Sequence, residues 1–77
     1  MEKKIIEIIA AMSLLDEGEI TEKELLIDIG IDSLKMVEII MNLEDTFQIR
    51  FDDAELDPTN LTTVKSVINL TEKYIHK

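Results

Sequence analysis

Apolar residues recur at helical spacing in three segments of the chain. These segments cover residues 3–15, 33–47 and 63–75, and in each one the apolar side chains stand three or four positions apart. Residues at this spacing share one face of an α-helix, so the pattern predicts three long helices. Their buried faces are expected to contribute the following core residues: Ile8, Met12, Ile40, Leu43, Phe47, Val64, Val67 and Ile68.

Residues suited to helix ends support these boundaries. Gly18 lies just beyond the first helix as a stop signal. Asp32 and Ser33 both offer a side-chain oxygen to the free N–H groups at the start of the second helix, so either one can cap it. Thr62 or Thr63 stands in the equivalent position before the third helix.

The two connections between the helices also contain signals for local structure. In segment 16–32, the stretch 21–24 has the capping-box pattern of a short helical turn. Segment 48–62 contains Asp57-Pro58, a cap followed by a proline at the first helical position, which predicts a short helix within 54–61. The apolar residues expected to pin the first connection to the core are Leu25, Leu26, Ile27 and Ile29.

The fold class follows from these elements. Ile49 and Phe51 alternate with charged residues as in a short extended piece, but the sequence offers no second such piece to pair with it. A sheet is therefore not expected. We predict an all-α four-helix bundle of three long helices and one short helix, in which residues 1–77 form a single domain.

The second helix carries two apolar faces. An advance of about 100° per residue gathers a core face and a second stripe that points in roughly the opposite direction. The core face consists of Met36, Ile39, Ile40, Leu43 and Phe47, and the second stripe of Leu34, Val37 and Met41, with Glu38 and Asp45 on one side and Glu44 on the other. An apolar stripe edged by carboxylates is typical of a docking surface. The alternative is that the long loop covers the stripe. A further possibility is that Leu26 or Ile27 covers part of it while Val37 and Met41 stay accessible.

Net charge limits the partners of the chain. Seventeen acidic and eight basic residues give a formal charge of −9 at pH 7. A surface this negative repels nucleic acids and anionic lipids and favours proteins with basic patches, although the charge can also serve solubility alone. The Lys3-Lys4 pair ahead of an apolar run resembles the start of a signal peptide, but Glu7 interrupts the run. No run approaches the ~20 apolar residues of a membrane span, so membrane insertion is not expected.

Residues with catalytic or metal-binding potential are sparse. There is no cysteine, which excludes a thiolate nucleophile and fits a cytoplasmic location. The single histidine, His76, lies near the end of the sequence, where it is poorly placed as a general base. The acidic run at 52–57 lacks the glycine and the final acid of a calcium loop, because Pro58 and Val64 stand there instead. We therefore expect a monomeric, non-catalytic binding or carrier module without a metal.

The region around Ser33 resembles a known attachment site. Segment 30–39, with Asp32-Ser33-Leu34 at its centre, is similar to the phosphopantetheine attachment site of acyl carrier proteins. Segments 43–47 and 61–64 are similar to the end of the family's second long helix and the start of its last helix. The resemblance implies that Ser33 carries 4′-phosphopantetheine, derived from coenzyme A, through a phosphodiester, with Asp32 and Leu34 beside it.

Partners and cargo follow from the same resemblance. It implies a phosphopantetheinyl transferase and the enzymes that load, condense or modify an acyl or aminoacyl group. The residues expected to form their docking face are Leu34, Val37, Glu38, Met41, Glu44 and Asp45. An acyl chain is expected between the second helix and segment 54–64, against Met36, Leu43, Leu56 and Leu61.

The type of carrier is indicated by departures from the fatty-acid-synthesis members. Those members commonly have an acid where Lys35 stands and often a small polar residue at Met36, and segment 51–61 looks more like stand-alone carriers of polyketide, nonribosomal peptide or related specialised biosynthesis. We therefore expect an acyl carrier outside housekeeping fatty acid synthesis. The alternatives are an aminoacyl or peptidyl carrier, whose Gly-Gly-His/Asp-Ser pattern is echoed only at Gly30, a D-alanyl carrier, and a helical interaction module that is never modified.

Overall fold

Three α-helices account for most of the regular structure. The computed structural model describes residues 2–57 and 59–76. The helices are α1 (Glu2–Met12), α2 (Ser33–Phe47) and α3 (Val64–Ile75), and 3₁₀ turns lie at Glu17–Glu19, Leu26–Ile29 and Asp53–Glu55. Within the described ranges there is no strand, and a single antiparallel bridge joins Leu25 to Thr63. The prediction of an all-α fold is confirmed.

The bounds of two predicted helices differ from the structure. α1 ends at Met12 rather than at Leu15, because the Ser13 hydroxyl donates to the carbonyls of Ala10 and Leu15 and accepts from the Leu15 N–H. A side chain that bonds its own backbone in this way competes with the helical ladder. The short helix expected within 54–61 is only a 3₁₀ turn at Asp53–Glu55. The predicted cap at Asp57 accepts from the Thr59 N–H, while Pro58 lies outside the described residues.

The loop between α1 and α2 is bonded to the start of α3. The Leu26 N–H donates to the Thr62 carbonyl at 2.9 Å. In the other direction, the N–H groups of Val64 and Lys65 donate to the carbonyls of Glu24 and Glu22, each at 3.0 Å. We call these three hydrogen bonds the loop–α3 clasp. The two bonds donated by Val64 and Lys65 satisfy N–H groups at the start of α3 that have no partner within the helix.

The predicted helical turn at Thr21 is replaced by a hydrogen-bonded turn. The Glu24 N–H donates to the Thr21 carbonyl at 3.2 Å, and 3₁₀ geometry begins only at Leu26. The clasp explains this difference, because the carbonyls of Glu22 and Glu24 are used by α3 instead of a local helix.

The core lies between the three helices and is closed by the loops. Its buried apolar residues are Ile5, Ile9, Ile20, Leu26, Ile29, Ile31, Ile39, Ile40, Leu43, Phe51, Leu61, Val64, Val67 and Ile68. The predicted burial of Ile8, Met12 and Phe47 is only partial. Ile5 and Ile9 are the fully buried residues of α1, and the three predicted residues pack against the core from its edge. The loops therefore contribute more of the core than the helical pattern predicted.

The α-helices of the described residues are 11 to 15 residues long. None of them combines the length and the apolar character needed to cross a membrane.

Candidate functional site

The start of α2 places Ser33 at the surface. Asp32 is the N-cap residue, and its Oδ1 accepts a hydrogen bond from the Lys35 N–H at 2.8 Å. The two possible caps are thereby distinguished, since Asp32 alone fills this role. Ser33 is the first residue of the helix and is exposed, and its hydroxyl has no hydrogen bond to any described residue.

The chain reaches Ser33 through a sharp turn. Gly30 follows the 3₁₀ turn with φ of +86°, a left-handed conformation that glycine adopts without strain. Its N–H donates to the Ile27 carbonyl, and the Ile31 N–H donates to the Leu26 carbonyl at 2.9 Å. Because Ile31 is buried, the next residues emerge from a fixed point of the core.

An apolar groove of about 870 Å³ begins beside Ser33. It runs between α2, the 3₁₀ turn that precedes it and the segment that leads into α3. Its lining combines buried side chains, Leu26, Ile31 and Ile40, with residues of higher exposure on both sides. A groove of this composition suits an apolar ligand better than a charged one.

Three of the four predicted pocket residues line this groove. Met36 contributes from α2, and Leu56 and Leu61 contribute from the segment before α3. Leu43, the fourth predicted residue, is fully buried and does not line the groove. Leu43 lies at the centre of the core face of α2, whereas the groove follows the flank of the helix that bears Ile40.

The second apolar stripe of α2 is exposed. Leu34, Val37 and Met41 have exposed fractions of 77 %, 56 % and 62 %. The alternative that the loop covers the stripe is therefore wrong. Ile27, one of the two residues suggested as its cover, is itself 78 % exposed.

The acidic residues around the stripe do not all have the same role. Glu38 and Asp45 are exposed, as a docking rim requires. Glu44 is half-buried, and its Oε2 accepts a hydrogen bond from the Phe51 N–H at 2.9 Å. The Glu44 carboxylate thus also holds the loop after α2, and its place in the docking rim stays a prediction.

Sequence reasoning missed Leu25 and Ile27 as groove residues. It treated both as anchors of the loop, yet both line the groove and are exposed. In a 3₁₀ turn with three residues per turn, residues i and i+3 share a side, which here buries Leu26 and Ile29 and turns Ile27 outward. The i, i+3 spacing of Leu26 and Ile29 was the available signal.

The acidic segment after α2 has structural partners. The Asp52 side chain accepts from the Ala54 N–H, and Glu55 forms an ion pair with Lys73 at 3.0 Å that raises the pKa of the lysine. The Thr59 backbone N–H and side chain bond Asp57 and lower the pKa of its carboxyl. Among the described residues, no group of carboxylates and histidine is arranged to hold a metal ion.

Comparisons with known proteins agree with the geometry. The family model described as "phosphopantetheine attachment site" matches residues 3–71. The acyl carrier protein of Buchnera aphidicola subsp. Baizongia pistaciae is 43 % identical over 76 residues, which cover 97 % of this chain and 95 % of that protein.

Solved structures show the same fold. The crystal structure of an acyl carrier protein from Thermotoga maritima is similar with a TM-score of 0.79 and 26 % identity, covering 99 % of this chain and 93 % of that chain. A crystal structure of the Bradyrhizobium japonicum glycine:carrier protein ligase with its cognate carrier protein and an analogue of glycyl adenylate matches with a TM-score of 0.75 and 20 % identity, covering 94 % and 96 %. The family match over most of the chain and the 43 % identity establish that this chain belongs to the acyl carrier protein family, whose members are non-catalytic carriers with 4′-phosphopantetheine as their prosthetic group.

Proposed function

We propose that Ser33 carries the 4′-phosphopantetheine arm. The supporting observation is a difference among the three serines of the chain. The Ser13 hydroxyl is bonded to the carbonyls of Ala10 and Leu15, and the Ser66 hydroxyl donates to the Thr63 carbonyl at 2.6 Å. Ser33 is the one whose hydroxyl is exposed and has no partner among the described residues.

The surroundings of Ser33 fit a phosphodiester. The first N–H groups of α2 lie next to its side chain, and the positive end of the helix dipole favours an attached anion there. Because Asp32 caps the helix, modification of Ser33 leaves the cap in place. The terminal thiol of the arm then holds the cargo as a thioester.

The cargo that suits the groove is an apolar acyl chain. The groove begins beside Ser33, and Met36, Leu56 and Leu61 supply apolar walls along it. The side chain of Met36 adapts to irregular shapes and is suited to contact such a chain. Lys35 and segment 51–61 favour a role in polyketide, nonribosomal peptide or related specialised biosynthesis.

Partner enzymes are expected to bind near Ser33, because they act on a group tethered there. Leu34, Val37 and Met41 offer apolar contact, and Glu38 and Asp45 offer negative charge beside it. Such charges mainly raise the rate at which a basic partner associates. The transferase and the loading, condensing and modifying enzymes are the partners of this face.

Intact-mass measurement tests the attachment. The unmodified protein is incubated with coenzyme A and a phosphopantetheinyl transferase of broad specificity. The wild type, Ser13→Ala and Ser66→Ala should each gain the mass of one arm, and Ser33→Ala should gain none. Modification of Ser33→Ala would place the arm elsewhere, and an unmodified wild type would favour the interaction module.

Nuclear magnetic resonance tests the cargo site. Loading a long acyl chain should shift the methyl resonances of Met36, Leu56 and Leu61 more than a short polar cargo does. Ile5 on α1, which is buried and does not line the groove, serves as the control. Equal shifts for both cargoes would mean that the acyl chain stays outside the groove.

A further inference from the structure

Ile27 is an exposed apolar residue on a firmly held turn. Its neighbours Leu26 and Ile29 are buried. Two backbone hydrogen bonds also hold this turn. The Leu26 N–H donates to the Thr62 carbonyl, and the Leu14 N–H donates to the Ile29 carbonyl, both at 2.9 Å. The turn thus presents Ile27, which is 78 % exposed, in one position, although folding gains little from its side chain.

The groove beside Ser33 has an exposed apolar rim on each side. Leu25 and Ile27 form the loop rim, and Val37 and Met41 form the helix rim. All four side chains line the same groove. The exposed apolar surface near the attachment serine is therefore a two-sided cleft rather than a single stripe along α2.

Carboxylates flank both rims. Asp28 follows Ile27 on the loop, and Glu38 follows Val37 on α2, and both are exposed. The three ion pairs of the described residues involve neither of them. With a net charge of −9, the cleft is complementary to an apolar side chain that has lysine or arginine residues around it.

We infer that Ile27 forms a second docking wall of the carrier. Partner enzymes place a large apolar side chain with basic neighbours between Ile27 and the Val37–Met41 rim, while the inner groove holds the cargo. This inference rests on the proposed function for the identity of the partners. Because the turn is held by the core and by the clasp, its position requires little ordering on binding, which favours affinity.

The test compares two leucine-sized side chains of equal exposure. Ile27 is 78 % exposed and lines the groove, whereas Leu14 is 77 % exposed and does not. Transfer kinetics are measured on the unmodified protein with coenzyme A and the transferase, so that no cargo is present. Ile27→Ala should raise KM by about five- to tenfold, and Ile27→Asp by more, since buried apolar contacts dominate protein interfaces. Leu14→Ala should change KM less than about twofold, as expected for a surface residue outside the interface.

A double-mutant cycle identifies the shared contact. If one partner side chain touches both rims, the effect of Ile27→Ala combined with Met41→Ala should be smaller than the product of the two single effects. Circular dichroism of each variant checks that the helices remain formed. Independent effects of the two changes would contradict a common contact.

The outcomes separate this inference from the proposed function. Equal KM values for the Ile27→Ala and Leu14→Ala variants would overturn the docking wall, even if every variant still gains the arm on Ser33. If Ile27→Ala changed the kinetics with partner enzymes only when an acyl chain is loaded, the rim would be assigned to the cargo. That result would overturn the inference as well. If the wild type formed dimers that Ile27→Asp dissociates, the cleft would be assigned to a second copy of the chain. The inference would then be overturned.

Discussion

The carboxylate of Asp32 accepts a hydrogen bond from the Lys35 N–H at 2.8 Å, whereas the neighbouring Ser33 hydroxyl has no hydrogen bond to any described residue. We therefore expect Asp32→Ala to lower the free energy of unfolding by about 0.5–2 kcal/mol, the usual cost of a lost N-cap. Ser33→Ala should change it by less than about 0.5 kcal/mol, as for an exposed residue. Urea denaturation measures both, and an equal loss in the two variants would mean that Ser33 shares the cap.

A second prediction concerns the turn ahead of α2. Gly30 has φ of +86°, and a Cβ on it would lie 2.7 Å from Cγ of Leu14. The exposed Leu14 side chain can move aside, but the backbone strain remains, so Gly30→Ala should cost about 1–2 kcal/mol of stability. Gly30→Asn should cost less, because asparagine tolerates this conformation better.

Gly18 provides the control for that prediction. No heavy atom lies within 4 Å of the position of a Cβ on Gly18, and its φ is not positive. Gly18→Ala should therefore leave thermal stability nearly unchanged. A comparable fall in the melting temperature of the two alanine variants would contradict the role assigned to Gly30.

A third prediction concerns charge at the docking face. Glu38→Lys should slow transfer of the arm to Ser33, mainly through slower association, and the difference should shrink at high salt, because exposed charges are screened within about 8 Å at physiological ionic strength. Glu72→Lys on α3 is the matched control with the same change in net charge. If both reversals slow transfer equally, net charge governs recognition rather than this face.

Glu44 needs a different substitution because its carboxylate bonds the Phe51 N–H. Glu44→Lys would disturb the loop as well as the charge, whereas Glu44→Gln removes the charge and retains a hydrogen-bond acceptor. Stopped-flow kinetics on Glu44→Gln should give rates close to the wild type if only Glu38 and Asp45 steer partners.

A fourth prediction concerns acid stability at Asp57. Hydrogen bonds from the backbone N–H and the side chain of Thr59 lower the pKa of the Asp57 carboxyl below its usual value. Because the pKa of this carboxyl is lower in the native state, the ionised carboxylate stabilises the fold at pH values above the unfolded-state pKa of about 3.9. This contribution is lost as pH falls through the native pKa. The stability difference between wild type and Asp57→Asn should therefore be constant near neutral pH and shrink in acid below about pH 4. A difference that does not change with pH would contradict the assignment.

The sequence was sufficient to predict those elements whose bounds are decided by local signals. α2 has the predicted bounds, because Asp32 provides its cap and the apolar repeat ends at Phe47. The end of α1 was harder to predict from the sequence, because the Ser13 hydroxyl bonds two backbone carbonyls and the apolar pattern does not encode these bonds. The partners of Glu22 and Glu24 in the clasp lie about 40 positions away and are set by tertiary packing, which overrides the local turn signal at Thr21.

In the candidate site too, some features could be predicted from local sequence signals and others depend on tertiary packing. The exposure of the α2 stripe followed from helical geometry. The motif around Ser33 indicated the family, and the attachment at Ser33 itself stays a prediction. The outward direction of Ile27 depends on a 3₁₀ rather than an α-helical turn, and the role of Glu44 depends on where the loop passes. Both are properties of packing that a pattern of apolar residues leaves undetermined.

The loop–α3 clasp also bears on the order of folding. It joins parts of the chain about 40 residues apart, so the entropy of closing that loop opposes its formation until α1 and α2 are in contact. We expect the clasp to be absent from the transition state, so that weakening it accelerates unfolding and leaves the folding rate nearly unchanged. The wall of the groove that Leu61 contributes would then be the last to form as the chain folds.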